Sequence, residues 1–111
     1  MKYLTKILFL FFLCFSINSI YSHDLKGAVE SEDRTPKNVL RDPHRNPLET
    51  LTFFGIESDM VIVELSPGGG WYTEILANYI HYPGTLIAAH FSSDSERDYF
   101  KRSRANFEKK M

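Results

Sequence analysis

The sequence predicts an α/β fold in which two parallel strands are joined by a helix. Residues 60–65 form an apolar, β-branched run without polar alternation, which is typical of a strand buried on both faces of a sheet. Residues 85–89 form a second short apolar run. Between them lie three consecutive glycines and a stretch with apolar residues at helical spacing, so the interval fits one right-handed crossover.

The composition is that of one small globular domain. The chain has 111 residues, of which 43% are hydrophobic and 24% are charged, so it is neither a disordered tail nor a low-complexity segment. After residue 22 it carries 11 basic and 14 acidic residues, a formal charge of −3. This acidic balance argues against a broad nucleic-acid-binding face, which needs clustered Lys and Arg side chains. We therefore expect no nucleic-acid partner.

Residues 1–22 have the three regions of a secretory signal peptide: a start with two lysines, an apolar run over residues 7–17, and a polar end. The apolar run is about half the roughly 20 residues that a membrane-spanning helix needs. Cleavage after Ser22 and export to the periplasm or the medium are expected, with membrane contact only during export. Ile20 is larger than the ideal residue three positions before the cleavage point, so an uncleaved membrane anchor is the alternative.

The single cysteine, Cys14, lies inside the predicted signal peptide, so the exported part would contain no thiol. A disulfide framework and a zinc–thiolate site are therefore excluded there. The four histidines stand too far apart in the sequence to form a short-spaced ligand pair on one helix. We predict no metal site.

Residues 23–45 are polar and charged, with one glycine and two prolines, which predicts an extended or partly ordered leader. A helix is predicted over residues 46–54, with Asn46 as its cap, a proline at its first position and a glutamate that completes a capping box. Gly55 ends this helix, because a left-handed residue after a helix costs least as glycine. The predicted domain therefore spans residues 46–111.

Two more helices are predicted after the first strand. Residues 71–82 carry apolar side chains at helical spacing and end at a Pro-Gly pair. Residues 93–96, Ser-Asp-Ser-Glu, have the sequence of a capping box and open a last helix that runs to about residue 109. Basic residues cluster near the end of that helix, where positive charge suits the helix dipole, and we interpret them as a solvated face. The predicted order is helix, strand, helix, strand, helix.

The glycine-rich turn after the first strand is where the sequence points to chemistry. A glycine turn at the carboxyl end of a parallel strand lets a ligand approach the backbone closely. A phosphate-binding loop of the Walker type would need a lysine and a different spacing. A dinucleotide-binding loop would need a third glycine where Thr73 stands and an acid where His90 stands. A simple tight turn without a ligand is a further alternative.

The residues around this turn resemble the first motif of the class I S-adenosylmethionine-dependent methyltransferases, an acid followed by alternating glycines. In this chain the motif reads Glu64-x-Ser66-x-Gly68-x-Gly70. A serine replaces the first glycine of the pattern. The longer strings at residues 67–76 and 47–56 resemble a narrower group of predicted exported bacterial methyltransferases, and the resemblance extends over about residues 41–107. It implies a Rossmann-like fold with S-adenosyl-L-methionine as the cofactor.

The resemblance also implies roles for particular residues. The loop would pass beneath the methionine part of the cofactor, and the acid would hold the loop and the methionine ammonium; the residues concerned are Glu64, Ser66, Gly68, Gly69 and Gly70. Family members commonly hold the ribose hydroxyls with an acid at the end of the second strand. This chain has His90 there, which could make one hydrogen bond to the ribose or could be a surface loop residue. Trp71 is expected in the core, and no catalytic residue is predicted.

The class I methyltransferase fold is a seven-stranded sheet, and this chain carries residues for the first two strands. We therefore expect an incomplete sheet, a fragment of a longer protein, and no methyl transfer by the chain as it stands. Open sheet edges predict self-association. A non-enzymatic remnant that binds or supports structure is the main alternative, and a fragment of an NAD(P)-binding oxidoreductase is the third. The sequence does not specify the methyl acceptor.

Overall fold

A computed structural model describes residues 24–111, so the predicted signal peptide lies outside the described part of the chain. Eight elements follow one another: α1 (Leu25–Val29), α2 (Pro36–Val39), α3 (Asp42–Arg45), α4 (Pro47–Phe53), β1 (Val61–Leu65), α5 (Trp71–Tyr79), β2 (Thr85–Ala89) and α6 (Asp98–Lys110). The prediction of a small α/β fold with a parallel sheet is confirmed. None of the helices within residues 24–111 is long and apolar enough to cross a membrane.

The two strands pair in parallel, with Val61 opposite Thr85 and Leu65 opposite Ala89. The chain passes from one strand to the other through α5, as the crossover interval predicts. The carboxyl ends of both strands therefore lie at the same edge of the sheet. The glycine-rich turn begins at this edge, and the Ser66 amide donates a hydrogen bond to the Ala89 carbonyl at 2.9 Å.

The core lies on one face of the sheet, between the strands and the helices. It is formed by buried residues of α1, α4 and α5, which are Ala28, Leu51, Ile75 and Leu76. Ile62 of β1 and Leu86 of β2 pack against this cluster from the sheet. Ile75 is fully buried, which makes α5 the central element of the domain.

The other face of the sheet is exposed in the described part of the chain. Val61, Val63 and Leu65 alternate with the inward residues of β1 and keep 67%, 53% and 77% of their surface accessible. The prediction that this strand is buried on both faces is therefore wrong for residues 24–111. An apolar run shows that both faces of a strand can be buried. Whether the second face is buried depends on another element that packs against it.

The segment predicted as a leader over residues 23–45 is not extended in its described part, because α1, α2 and α3 lie there. Asp24 caps α1 by accepting a hydrogen bond from the Gly27 amide at 2.6 Å. Arg34 then ties the segment together, because its guanidinium bonds both carboxylate oxygens of Asp42, at 2.6 and 2.8 Å, and the Val29 carbonyl at 2.6 Å. A buried ion pair therefore orders the segment. Such a pair leaves no periodic pattern in the sequence from which it could be predicted.

Helix α4 agrees with the prediction in its extent, and Gly55 follows it with a φ of 64°. The predicted cap is wrong, because the Asn46 side chain makes no capping hydrogen bond and the residue has a left-handed φ of 44°. The Asn46 amide instead donates to the Asp42 carbonyl at 2.8 Å and ends α3. Asn46 therefore joins two consecutive helices. Its position before Pro47 does not predict this role.

Helix α6 begins later than predicted, at Asp98, with Arg97 as its cap residue, so the capping box predicted at residues 93–96 does not form. Its inner side carries Phe107, which is buried, and Phe100, whose ring stacks on that of Phe91 at 4.1 Å between centroids. These contacts hold α6 against the segment that follows β2. The end of the helix thereby comes to lie on the glycine-rich turn.

Candidate functional site

The turn between β1 and α5, residues 66–70, is called the glycine loop below. Ser66, Gly68 and Gly70 all have left-handed backbone angles, with φ of 53°, 58° and 79°. The Gly70 amide closes the loop by donating to the Pro67 carbonyl at 2.9 Å. A side chain with a Cβ atom is strained at a positive φ, so the last two of these positions favour glycine strongly.

The glycine loop has one crowded residue and one open residue. A Cβ atom built on Gly70 would collide with the Met111 side chain and would approach Phe107 Cε2 to 3.4 Å. A Cβ atom on Gly69 would meet no heavy atom within 4 Å. Gly70 is therefore favoured chiefly by its φ of 79°, with Phe107 of α6 close by, whereas a side chain at Gly69 would meet open space.

Glu64 lies beside the start of α5. It is the residue of β1 that faces the helices just before the strand ends, and its Oε2 accepts a hydrogen bond from Thr73 Oγ1 at 2.5 Å. Burial raises the pKa of Glu64, and the hydrogen bond from Thr73 offsets part of that effect. One neutral hydroxyl does not use all the acceptor sites of a carboxylate, so Glu64 can accept further hydrogen bonds.

Two arginines face the glycine loop from the segment before α4. The guanidinium of Arg45 lies over the Trp71 ring, 4.1 Å from its centroid, and 5.3 Å from the centroid of the Tyr72 ring. Trp71 is held in place by its indole N–H, which donates to the Asn38 carbonyl at 2.9 Å and contacts an Asp42 oxygen at 3.1 Å. The predicted core position of Trp71 is confirmed by its exposure of 3%.

A cavity of about 440 Å³ lies in front of the loop, at the carboxyl end of β1. We call it the donor cavity. Four of the six residues that the sequence singled out line it, namely Glu64, Ser66, Gly68 and Gly69. Arg41, Arg45, Trp71 and Tyr72 line it as well. Sequence reasoning missed the two arginines, because they lie in the segment interpreted as a leader and no motif marks them.

The structure places Gly70 and His90 outside the lining of the donor cavity. Gly70 is buried beneath α6. The His90 ring packs between Phe91 and Phe107, at centroid distances of 5.1 and 5.2 Å, and its Nδ1 accepts from the Phe91 amide at 2.8 Å. The His90 Nε2 atom is buried without a partner among the described residues. A ribose-binding role for His90 stays a prediction.

A second carboxylate lies on the other side of the start of α5, in what we call the Glu74 cluster: Thr35, Glu74, Lys110 and the Gly69 carbonyl. Lys110 Nζ bonds Glu74 Oε1 at 2.5 Å and the Gly69 carbonyl at 2.7 Å. The Thr35 hydroxyl and amide donate to the two oxygens of Glu74, at 2.5 and 3.2 Å. Burial alone would raise the pKa of Glu74, but these hydrogen bonds outweigh it and hold the pKa below its usual range.

Within residues 24–111, no group of three or more His, Cys, Asp or Glu side chains is placed to hold a metal ion. Comparisons with families of known proteins, with curated proteins and with solved structures found no match for this chain. The features of the chain that bear on its function are therefore the glycine loop, the donor cavity and the sequence motif.

Proposed function

We propose that this protein is the cofactor-binding part of an S-adenosylmethionine-dependent methyltransferase with a Rossmann-like fold. One observation carries the proposal: the donor cavity is lined by the glycine loop together with Glu64, Arg41 and Arg45. In α/β proteins with parallel strands, ligands bind at the carboxyl ends of the strands, where this cavity lies. The β1–α5–β2 unit is the arrangement with which a Rossmann-like sheet begins.

The charges in the cavity fit the methionine end of the proposed cofactor, which carries one ammonium and one carboxylate. Glu64 has acceptor capacity left for the ammonium group, in addition to its bond from Thr73. Arg41 and Arg45 offer donors for the carboxylate, since neither guanidinium forms a hydrogen bond or ion pair within residues 24–111. Charges of both signs in one cavity favour a zwitterionic ligand.

Arg45 is held in a way that leaves its donors free. The face of the guanidinium stacks on Trp71, so the planar group is oriented while the N–H groups at its edge remain available. Trp71 is fixed in turn by its hydrogen bond to the Asn38 carbonyl. This preorganisation reduces the entropy that the arginine side chain loses when it binds an anion.

When bound, S-adenosylmethionine supplies an electrophilic methyl group on its sulfonium. Transfer of that methyl to a nucleophile depends mainly on alignment of the donor and the acceptor. Residues 64–72 would contribute by fixing the donor: the loop backbone admits it closely, and the charged side chains orient its methionine end. We propose no acceptor and no catalytic base among the described residues.

We further propose that the protein acts outside the cytoplasm, because residues 1–22 have the pattern of a cleavable signal peptide. Mass spectrometry of the protein recovered from an expressing bacterium tests this. A mature chain that begins at His23 supports export with cleavage. A chain that still begins at Met1 in the membrane fraction supports the uncleaved anchor instead.

The test of the proposed function is calorimetric titration of the purified protein with S-adenosylhomocysteine and, separately, with NAD. We expect saturable binding of S-adenosylhomocysteine and none of NAD. Glu64→Gln should weaken that binding about tenfold, because a charge-assisted hydrogen bond is lost. Glu49→Gln, an exposed change on α4, is the matched control and should leave the affinity unchanged.

Tighter binding of NAD than of S-adenosylhomocysteine would favour the oxidoreductase alternative. Absence of binding to either ligand by a folded protein would favour a non-enzymatic remnant. Equal weakening by both glutamate substitutions would contradict the role assigned to Glu64, since net charge alone would then account for the effect.

A further inference from the structure

The glycine loop has a second cavity on its other side, of about 300 Å³. Gly68 and Gly69 form one wall and are shared with the donor cavity. The opposite wall is formed by four residues of α6, namely Tyr99, Arg102, Ser103 and Asn106. We call this space the α6 cavity. Nothing in the motif of the glycine loop accounts for it.

The four residues of the α6 wall lie on one face of the helix, because they follow the spacing i, i+3, i+4 and i+7. Each of them carries a hydrogen-bonding group: a phenol, a guanidinium, a hydroxyl and an amide. A helix face that meets a backbone loop is ordinarily apolar. Here the buried apolar residue is Phe107, which lies next to this face, and the face toward the cavity is polar.

The polar groups of this wall are unpaired. None of the side chains of Tyr99, Arg102, Ser103 and Asn106 takes part in a hydrogen bond or ion pair among the described residues, although Arg104 and Lys110 on the same helix do. The amides of Gly68 and Gly69 also have no backbone acceptor within residues 24–111. Tyr99, Arg102 and Asn106 are exposed to solvent, so their donors are not used by the protein and are available to a ligand at the α6 cavity.

The charge of the cavity has a single sign. Arg102 is the only charged residue that lines it, and no carboxylate does. Lys110 lies close by, with its Nζ on the Gly69 carbonyl, and adds to the positive potential although it is paired with Glu74. A guanidinium with neutral hydroxyl and amide donors beside it suits an oxyanion, which accepts several hydrogen bonds at once.

From these observations we infer that the α6 cavity is a second ligand site, which binds a small molecule through an oxyanion group, phosphate or carboxylate, held by Arg102. Ser103, Asn106 and the phenol of Tyr99 would bind the oxyanion or hydroxyl groups next to it. The site is separate from the donor cavity, and the glycine loop is the wall between them. The inference does not depend on the identity of the ligand in the donor cavity.

The experiment is a titration of the ¹⁵N-labelled protein, first with inorganic phosphate and then with acetate, followed by amide chemical shifts. We expect saturable shifts at Gly68, Gly69 and residues 99–106. The anion that binds more tightly shows whether the site prefers a phosphate or a carboxylate group. Arg102→Gln should weaken the binding by about tenfold or more, because it removes a charge-assisted bond. Lys101→Gln, which removes the same charge from a neighbouring position outside the cavity, should have little effect.

Two outcomes would overturn the inference. If Arg102→Gln and Lys101→Gln weakened anion binding equally, the anions would be responding only to the net charge of α6. Competition between phosphate and S-adenosylhomocysteine would show that the two cavities are one site. Binding of phosphate at the α6 cavity by a protein that does not bind S-adenosylhomocysteine would support the second site while removing the proposed function, so the two proposals can fail independently.

Discussion

Glu64 and Glu74 lie on opposite sides of the start of α5 and have opposite shifts in pKa. The Glu74 carboxylate takes hydrogen bonds from Thr35 and Lys110, which come from the two ends of the described chain. The Glu64 carboxylate takes one from Thr73 and faces a cavity. Glu74 is buried and Glu64 is partly buried, and in both burial acts to raise the pKa.

The two carboxylates therefore differ in their hydrogen-bond partners. Glu74 is surrounded by donors that favour its charged form, and it joins α2, α5 and α6 into one unit. Glu64 has fewer donors than a buried carboxylate needs, which leaves it with capacity for a ligand. A satisfied carboxylate stabilises the fold, whereas an unsatisfied one at a cavity indicates a binding site.

The largest effect is expected from Glu74→Gln. An amide cannot match the donors of Thr35 and Lys110, and the partly exposed Lys110 ammonium loses its counter-ion, so the free energy of unfolding should fall by about 3 kcal/mol. Glu108→Gln breaks the exposed ion pair with Arg104 and should cost about 0.5 kcal/mol or less. Urea unfolding measures both. Equal losses would show that the Glu74 cluster is no more than a surface pair.

Two substitutions in the glycine loop separate packing from binding. Gly70→Val should lower the free energy of unfolding by about 2 kcal/mol or more, because it strains a φ of 79° and crowds Phe107 of α6. Gly69→Val meets open space and should cost less than about 1 kcal/mol. The second change should nevertheless weaken binding of S-adenosylhomocysteine at least about tenfold, since it adds a branched side chain to a residue that lines the donor cavity. Unchanged affinity in Gly69→Val would mean that the loop is only a turn.

Thr73→Val tests the single partner of Glu64. The two side chains have nearly the same shape, so the change removes the hydroxyl donor and little else. We expect a loss of about 1 kcal/mol in stability, because Glu64 keeps the cost of burial without its hydrogen bond. The pKa of Glu64 should rise further, and titration of its side-chain carboxyl resonance by NMR measures this. A pKa that falls in the variant would contradict the geometry.

The pH dependence of stability should have opposite signs for the two glutamates. Stability from Glu74, whose pKa is lowered, is present above the ordinary glutamate pKa and is lost as the pH falls through the lowered value. The contribution of Glu64, whose pKa is raised, is present below the ordinary value and is lost as the pH rises through the raised one.

Unfolding curves of the wild type and the two glutamine variants, measured between about pH 3 and 7, isolate these contributions. The stability difference between the wild type and Glu74→Gln should grow as the pH rises. The difference between the wild type and Glu64→Gln should shrink over the same range. Two differences of the same sign would show that the carboxylates have similar surroundings.

The order of strands and helices after residue 46 could be predicted, because apolar runs and helical spacing record it directly. The structure of residues 24–45 could not. It depends on Arg34 and Asp42, which meet across eight residues through a buried ion pair, and a polar pair of this kind looks like a solvated segment in the sequence. The exposed outer face of β1 was also beyond prediction, since the residues of a strand do not show what covers them.

In the candidate site, too, a local sequence pattern predicted some residues, whereas others depend on how the chain folds. Glu64 and the glycines were found because a motif brings them together within a few residues. Arg41 and Arg45 were not found, because only the folding of α3 against Trp71 brings them to the loop. The basic residues of α6 are interpreted from the sequence as a solvated face, and Arg102 is exposed in the structure. The cavity beside Arg102 could not be predicted, because it depends on where Phe107 fixes the helix.

Trp71 has a consequence for how this protein can be observed. It is the only tryptophan in the chain, it is 3% exposed, and the Arg45 guanidinium lies 4.1 Å from its ring centroid. Light emission from an indole responds to a charge at that distance. A ligand that draws Arg45 toward its own carboxylate would change the emission. The molecule therefore carries an intrinsic fluorophore at the mouth of the donor cavity, and occupancy can be followed optically without an attached dye.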